Sequence, residues 1–135
     1  MAIFSKLGRY PDFALLVMRV GLGFMMVMHG YPKLFAGPEK WGKLGAAMEN
    51  LGITYAPEFW GFMAAFAETG GGVLLILGFL FRPAALLLLI TMVVAAMKHL
   101  YGGDSLMDAS HSIELGIVFF GMFILGPGKY SMDKS

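Results

Sequence analysis

Apolar residues along this chain gather into runs long enough to cross a bilayer, and polar residues collect between the runs. With a window of about twenty predominantly apolar residues as one span, the runs are Phe13–Tyr31, Phe59–Phe81, Ala84–Leu100 and Ile113–Leu125. They predict four membrane-spanning helices. Helix breakers stand where the ends should fall: Pro11 before the first span, Pro32 after it, Pro57 before the second and Arg82-Pro83 between second and third. Gly102-Gly103 then follows the third span and Gly126-Pro127-Gly128 the fourth. The longest connection, Gly37 to Pro57, carries Trp41, Leu44, Met48 and Leu51 on one helical stripe, with Lys40, Lys43 and Glu49 on its other faces. This predicts a short interfacial helix between the first two spans; a solvated loop with chance periodicity is the alternative. The fold expected is all-α, an integral-membrane four-helix bundle in one domain over residues 1–135.

Composition narrows the chemistry. Of the 135 residues, 58% are hydrophobic and 14% charged, with a mean hydropathy of +0.72, far from the roughly 25% charged residues of a soluble domain. The lipid bilayer is therefore the first partner. The spans leave no room for a soluble catalytic domain, so any chemistry sits among the helices or comes from a partner. A net charge of +1 with scattered basic residues points away from nucleic acid. The absence of cysteine excludes disulfide exchange, cysteine-ligated iron–sulfur clusters and c-type haem. Lys6 and Arg9 ahead of an apolar run resemble a signal peptide, but Arg19 breaks the run and no A-x-A site follows, so an uncleaved first helix is expected. Lys6, Arg9, Arg82, Lys129 and Lys134 fall on one side of the membrane and Lys33, Lys40, Lys43 and Lys98 on the other. The bias places both termini in the cytoplasm.

Ionisable groups inside spans cost a few kcal/mol each on insertion scales, so those retained usually face the bundle interior and pair. Helical spacing aligns Arg19, Gly23, Met26, Gly30 and Lys33 on the first helix, and Gly61, Ala65, Glu68 and Gly72 on the second. Small residues beside the charges imply close helix contact. From these boundaries Arg19 and Glu68 both fall near mid-membrane, which predicts a buried ion pair, either functional or serving only to set helix register. The same spacing gathers His29, Lys33, Lys98, His99, His111 and Glu114 at the end away from the termini. Such a cluster suits a proton relay, a metal or haem, or hydrogen bonding to a polar head group; single histidines pointing into interfacial water are the plain alternative. With no H-E-x-x-H or Glu-x-x-His motif, no metal ligands are assigned. The twelve methionines, Met25, Met26 and Met28 among them, read as adaptable apolar filling rather than copper ligands.

Three stretches in order, "MRVGLGFMMVMHGYPKLF", "AETGGGVLLILGFLFRPAALLLL" and "SIELGIVFFGMFILGPGKYSMD", carry a broader resemblance. Arg with H-G-x-x-K, then E-x-G-G-G with G-x-x-x-R-P, then G-P-G-x-Y-S-x-D resemble the successive signatures of the DoxX family of small four-helix membrane proteins. The resemblance spans nearly the whole chain. Matched residue by residue, it singles out Arg19, His29, Lys33, Glu68, His99, Glu114 and Asp133, while His111 enters on helical spacing alone. It implies a bacterial cytoplasmic-membrane protein with a redox- or quinone-linked role, since the family is named for a relationship to subunits of thiosulfate:quinone oxidoreductase.

The expected function is thus a redox- or quinone-linked subunit of a membrane oxidoreductase assembly, with a polar site in the bundle near the outer face. His29, Lys33 and Glu114 are the expected catalytic groups, and Arg19, Glu68, His99 and His111 the expected cofactor-binding groups. Quinone is the expected cofactor ahead of haem or a metal, and a partner oxidoreductase subunit or a second copy of the chain the expected protein partner. Two alternatives stand beside it. One is a small proton or solute permease in which Arg19 and Glu68 exchange partners; four helices without an inverted repeat argue against alternating access by a monomer. The other is a non-catalytic scaffold for an oxidoreductase, docked through the Trp41 segment.

Overall fold

A computed structural model describes residues 3–133, and Lys134, counted in the basic balance above, lies outside them. Four long helices carry the fold: α1 (Pro11–Leu34), α3 (Pro57–Leu77), α4 (Phe81–Tyr101) and α5 (Leu106–Leu125), each long and apolar enough to span a membrane. Between the first two lies α2 (Pro38–Gly45), continued by a 3-10 turn over Ala46–Leu51. The architecture is the expected all-α bundle with a short extra helix.

The helix ends differ from expectation for local reasons. Pro11 and Pro57 begin α1 and α3, positions where a missing N–H costs nothing because first-turn donors lack intrahelical partners. Pro32 lies within α1, which runs two residues further. That near the end, proline disturbs only the last turn. Arg82 and Pro83 are second and third residues of α4 rather than a turn, leaving only Gly78, Phe79 and Leu80 between α3 and α4. Helix α5 begins at Leu106, a full two turns before the apolar run. Its start is a capping box: Ser105 Oγ accepts from Asp108 N–H at 3.2 Å and Asp108 Oδ2 accepts from Ser105 N–H at 3.1 Å.

Glycine sets the closest seams. A Cβ at Gly23 would stand 2.5 Å from the Gly72 carbonyl oxygen, and one at Gly30 would stand 2.6 Å from Thr69 Oγ1. The stripe on α1 therefore meets the stripe on α3 backbone to backbone. In the same way Gly45 of α2 abuts the Pro57 carbonyl, and Gly61 of α3 abuts the backbone of Trp41. The core proper joins all four long helices through Met26, Leu75, Phe81, Leu88, Met92, Phe119 and Met122.

After α5 the chain folds back as a strap across the end that holds the termini. Lys129 N–H donates to Asp12 Oδ1 at 2.9 Å, and Met132 N–H to the Leu77 carbonyl at 3.1 Å. Asp133 then takes the first N–H groups of α4: its Oδ1 accepts from Leu80 at 2.9 Å and its Oδ2 from Phe81 at 2.7 Å. A carboxylate there satisfies orphan donors and meets the positive end of the helix dipole. Arg82 answers from the other side, donating to the carbonyls of Phe123 and Ile124 at the end of α5.

Candidate functional site

Arg19 and Glu68 do not pair. Gly23 lies against Gly72 and Ile76, and Gly30 against Glu68 and Thr69, so Glu68 is level with Gly30 while Arg19 is level with Gly78. Arg19 and Gly30 are eleven positions apart on α1, about 16 Å of helix at ~1.5 Å per residue. The sequence expectation fails because span limits set by hydropathy do not locate the contact register. Arg19, 1% exposed, instead donates from Nη2 to the Tyr130 carbonyl of the strap at 2.6 Å. Its Nε and Nη1 are buried without a partner among the described residues. Exchange of partners between Arg19 and Glu68, on which a permease reading rests, is out of reach over that separation.

The partner of Glu68 is Lys33. Lys33 Nζ lies 3.3 Å and 3.2 Å from the two carboxylate oxygens. Lys33 starts nearly one turn beyond Gly30, and helical side chains lean toward the helix N-terminus, so its long stem reaches back to the carboxylate. The Glu68 side chain is 8% exposed and that of Lys33 33%.

This pair stands in the wall of a half-open cleft of about 380 Å³ between α3, α4 and the α2 segment. The size is at the small end of the ~300–1,000 Å³ usual for ligand sites. Most of the wall is apolar. Lys98 and His99, from the last turn of α4, and Trp60, from the first turn of α3, add the remaining polar groups besides Thr91. Thr91 is engaged, its hydroxyl donating to the Leu87 carbonyl at 2.9 Å. His99 Nδ1 lies 2.9 Å from Asp104 Oδ2; a carboxylate only accepts, so that nitrogen carries a proton.

The amphipathic stripe of the 37–57 connection forms the cover. Leu44, Ala47, Met48 and Leu51 line the cavity, while Lys40, Lys43 and Glu49 are exposed. Trp41 ties the cover down: its Nε1 donates to the Lys33 carbonyl at 3.0 Å, and its ring meets Phe62 edge-on at 5.0 Å. Its contacts are thus made within the chain, which weakens the scaffold reading that used this segment for docking.

The residues expected in one cluster divide into separate groups. Lys33, Glu68 and His99 share the cavity, joined by Lys98. His29 and His111 do not line it. Their rings meet each other, 5.7 Å between centroids, and both residues are exposed. Glu114 is exposed on α5, outside the cavity, and Arg19 belongs to the opposite end. The reason is angular: a shared membrane depth does not give a shared facing, and α1 directs Lys33 toward α3 but His29 toward α5. Among the described residues no group of three or more His, Asp or Glu is arranged to hold a metal ion. Trp60 was missed by sequence reasoning. Its signal is the stripe Trp60, Ala64, Glu68 at i, i+4, i+8, where a small residue between an indole and a carboxylate leaves space on that face.

The model of the DoxX family matches residues 14–100, from α1 to the end of α4. The chain belongs to the DoxX family. It is also similar to "Inner membrane protein YphA" of Escherichia coli (strain K12), 27% identical over 143 residues, covering 93% of this chain and 96% of that protein. No solved structure matches. The matched region holds the ionisable cavity groups Lys33, Glu68, Lys98 and His99, and stops before Glu114 and Asp133. With four apolar helices and these relatives, the protein is a membrane protein of the bilayer-spanning kind.

Proposed function

We propose that this protein is the ligand-binding membrane subunit of a redox assembly, holding a quinone-type head group in the cavity under α2. The observation that carries the reading is the Lys33–Glu68 pair, a nearly buried carboxylate and its ammonium in the wall of an otherwise apolar cavity. A charge pair is costly in such surroundings and does not by itself argue for stability, whereas it suits a site that must bind an oxygen-bearing ring and handle protons. The donor set fits: Lys33 Nζ serves an acceptor oxygen, and the wall around it is mostly apolar. A quinone, when bound, supplies two-electron and two-proton chemistry. The side chains manage the protons. Glu68 takes or returns one at the wall, Lys33 holds the resulting charge, and His99 Nε2 stands near the mouth toward water. With no cysteine in the chain, electrons come and go through the bound group and a partner oxidoreductase.

Isothermal titration of the detergent-purified protein with decyl-ubiquinone or menadione tests this. Glu68→Gln and Lys33→Met should each lower affinity about tenfold, the size of one charged hydrogen bond, with helix content unchanged. Equal binding by both variants overturns the assignment. We also place both termini in the cytoplasm, because the strap end gathers Lys6, Arg9, Arg82 and Lys129. Thr54→Cys should then react with an impermeant maleimide on intact cells and Lys129→Cys should not; the reverse pattern inverts the topology.

A further inference from the structure

Glu114 is an ionisable side chain at mid-span that neither the cavity nor the strap uses. It is the ninth of the twenty residues of α5. The neighbouring seam agrees on its depth: a Cβ at Gly116 would stand 3.7 Å from Cβ of Met92, the twelfth of the twenty-one residues of α4. The carboxyl thus lies near the middle of the span, with about 12 Å of helix between it and the outer end of α5. No glutamate side chain reaches water over that distance. Among the described residues the ion pairs are Lys33–Glu68 and His99–Asp104, so Glu114 has no charged partner. It is exposed on the side of α5 turned away from the core, beside Ile117, which is 67% exposed. An acid kept at such a depth is normally met by another polar group inside the membrane.

The spacing along that side of α5 is that of a helix pair. Met107, Glu114 and Gly121 recur every seven residues, and His111 and Leu125 follow four after the first and last of them. This is the repeat that keeps one seam facing a parallel partner. At Gly121 nothing lies within 4 Å of where a Cβ would stand, so a second helix can approach closely there, as small residues allow at membrane interfaces. The seam also carries its own complement. Two copies inserted the same way are related by a two-fold axis along the membrane normal, which keeps every residue at its own depth. That axis sets Glu114 against Glu114 of the partner subunit, with each His111 one turn outward. Two carboxyls in contact share a proton, and imidazole both donates and accepts. The acid is then satisfied with no unrelated helix.

We infer that α5 is the interface of a homodimer, in which a second copy packs parallel along Met107, His111, Glu114, Gly121 and Leu125 and the two Glu114 carboxyls meet across the two-fold axis.

The chain has no cysteine, so single introduced thiols report this geometry in native membranes. Met107→Cys and Gly121→Cys, near opposite ends of the seam, should both give disulfide-linked pairs under copper–phenanthroline oxidation. Phe24→Cys, exposed on α1 and about 140° around that helix from His29, should stay monomeric. Energy transfer between labelled copies in bilayers then gives the dimer affinity. Glu114→Leu and Gly121→Leu should each weaken association about tenfold, the scale of one interhelical hydrogen bond or close contact in a membrane. Helix content should not change, because Glu114 is exposed and a Cβ at Gly121 meets nothing. Glu114→Gln keeps a donor and an acceptor and should associate as the parent does. Monomers by both cross-linking and energy transfer overturn the inference, as does a dimer indifferent to both Glu114→Leu and Gly121→Leu. Pairing at Phe24→Cys in place of the seam overturns it too. A cross-link from the seam to a different protein in place of a second copy does the same, and makes α5 the docking face for a partner subunit.

Discussion

One helix, α1, supplies a long cation to each end of the bundle, and the two cations are treated in opposite ways. Arg19, at the strap end, is 1% exposed and meets a backbone carbonyl, with the Asp133 strap folded over it. Lys33, fourteen positions on, is a third exposed and meets a carboxylate beside a cavity. The guanidinium is planar, strongly donating and always charged, which suits a permanent buried anchor. The ammonium is compact, on a flexible stem, in a pair that water or a ligand can approach. The difference teaches that ionisable residues at intramembrane positions divide by function. One locks the fold at the end where hydrogen bonds from α1, α3, α4 and α5 converge; the other leaves a polar site at the end where only a short cover closes the bundle.

Four single substitutions and two double-variant comparisons break or sharpen this contrast, measured as thermal or denaturant unfolding in detergent. Arg19→Ala should be the largest, about 3–5 kcal/mol, since it empties a fully buried site and releases Tyr130. If the ends are distinct, the variant that still folds should bind cavity ligands as the parent does. A parallel loss of binding and stability would merge the two ends into one site.

Next comes Lys33→Met, about 2–3 kcal/mol, because Glu68 is left as an unpaired buried carboxylate, with a discount for the exposure of Lys33. The double variant Lys33→Met/Glu68→Leu should be milder than the sum of its parts by about 1–2 kcal/mol. By contrast Arg19→Met and Glu68→Gln should add to within about 0.5 kcal/mol, as residues this far apart do. Strong coupling between Arg19 and Glu68 would contradict the register set by Gly23, Gly30 and Gly72.

Asp133→Asn should cost about 1–2 kcal/mol, since an amide can accept only one of the two N–H bonds that cap α4. Smallest is His29→Ala, under about 0.5 kcal/mol, as expected of an exposed residue away from core and caps. It should also leave cavity binding unchanged. A loss of binding in His29→Ala would return His29 to the site from which its facing toward His111 removes it.

Much of this molecule is legible in one dimension. Run length and breakers place four spans, because a bilayer imposes a length on any helix that crosses it and proline and glycine mark where helices stop. Composition marks these residues as bilayer sequence, and the absence of cysteine among them excludes thiol chemistry by their own side chains, since both depend on which atoms are present and not on where they sit. The small-residue stripes on α1 and α3 announce their seam, as a 3.6-residue period must. The register along that seam was decided only in three dimensions. It follows from which glycine meets which carbonyl, and it sets Glu68 level with Gly30, eleven positions from Arg19 and within reach of Lys33. Facing was decided there too: His29, Lys33, His99, His111 and Glu114 share a depth, but rotation about each helix axis sends His29 and His111 to one another and Lys33 and His99 into the cavity. The cover over that cavity and the strap that engages Arg19 are both products of long-range packing. No local pattern specifies them, because each depends on the shape of a surface built by residues distant in the chain.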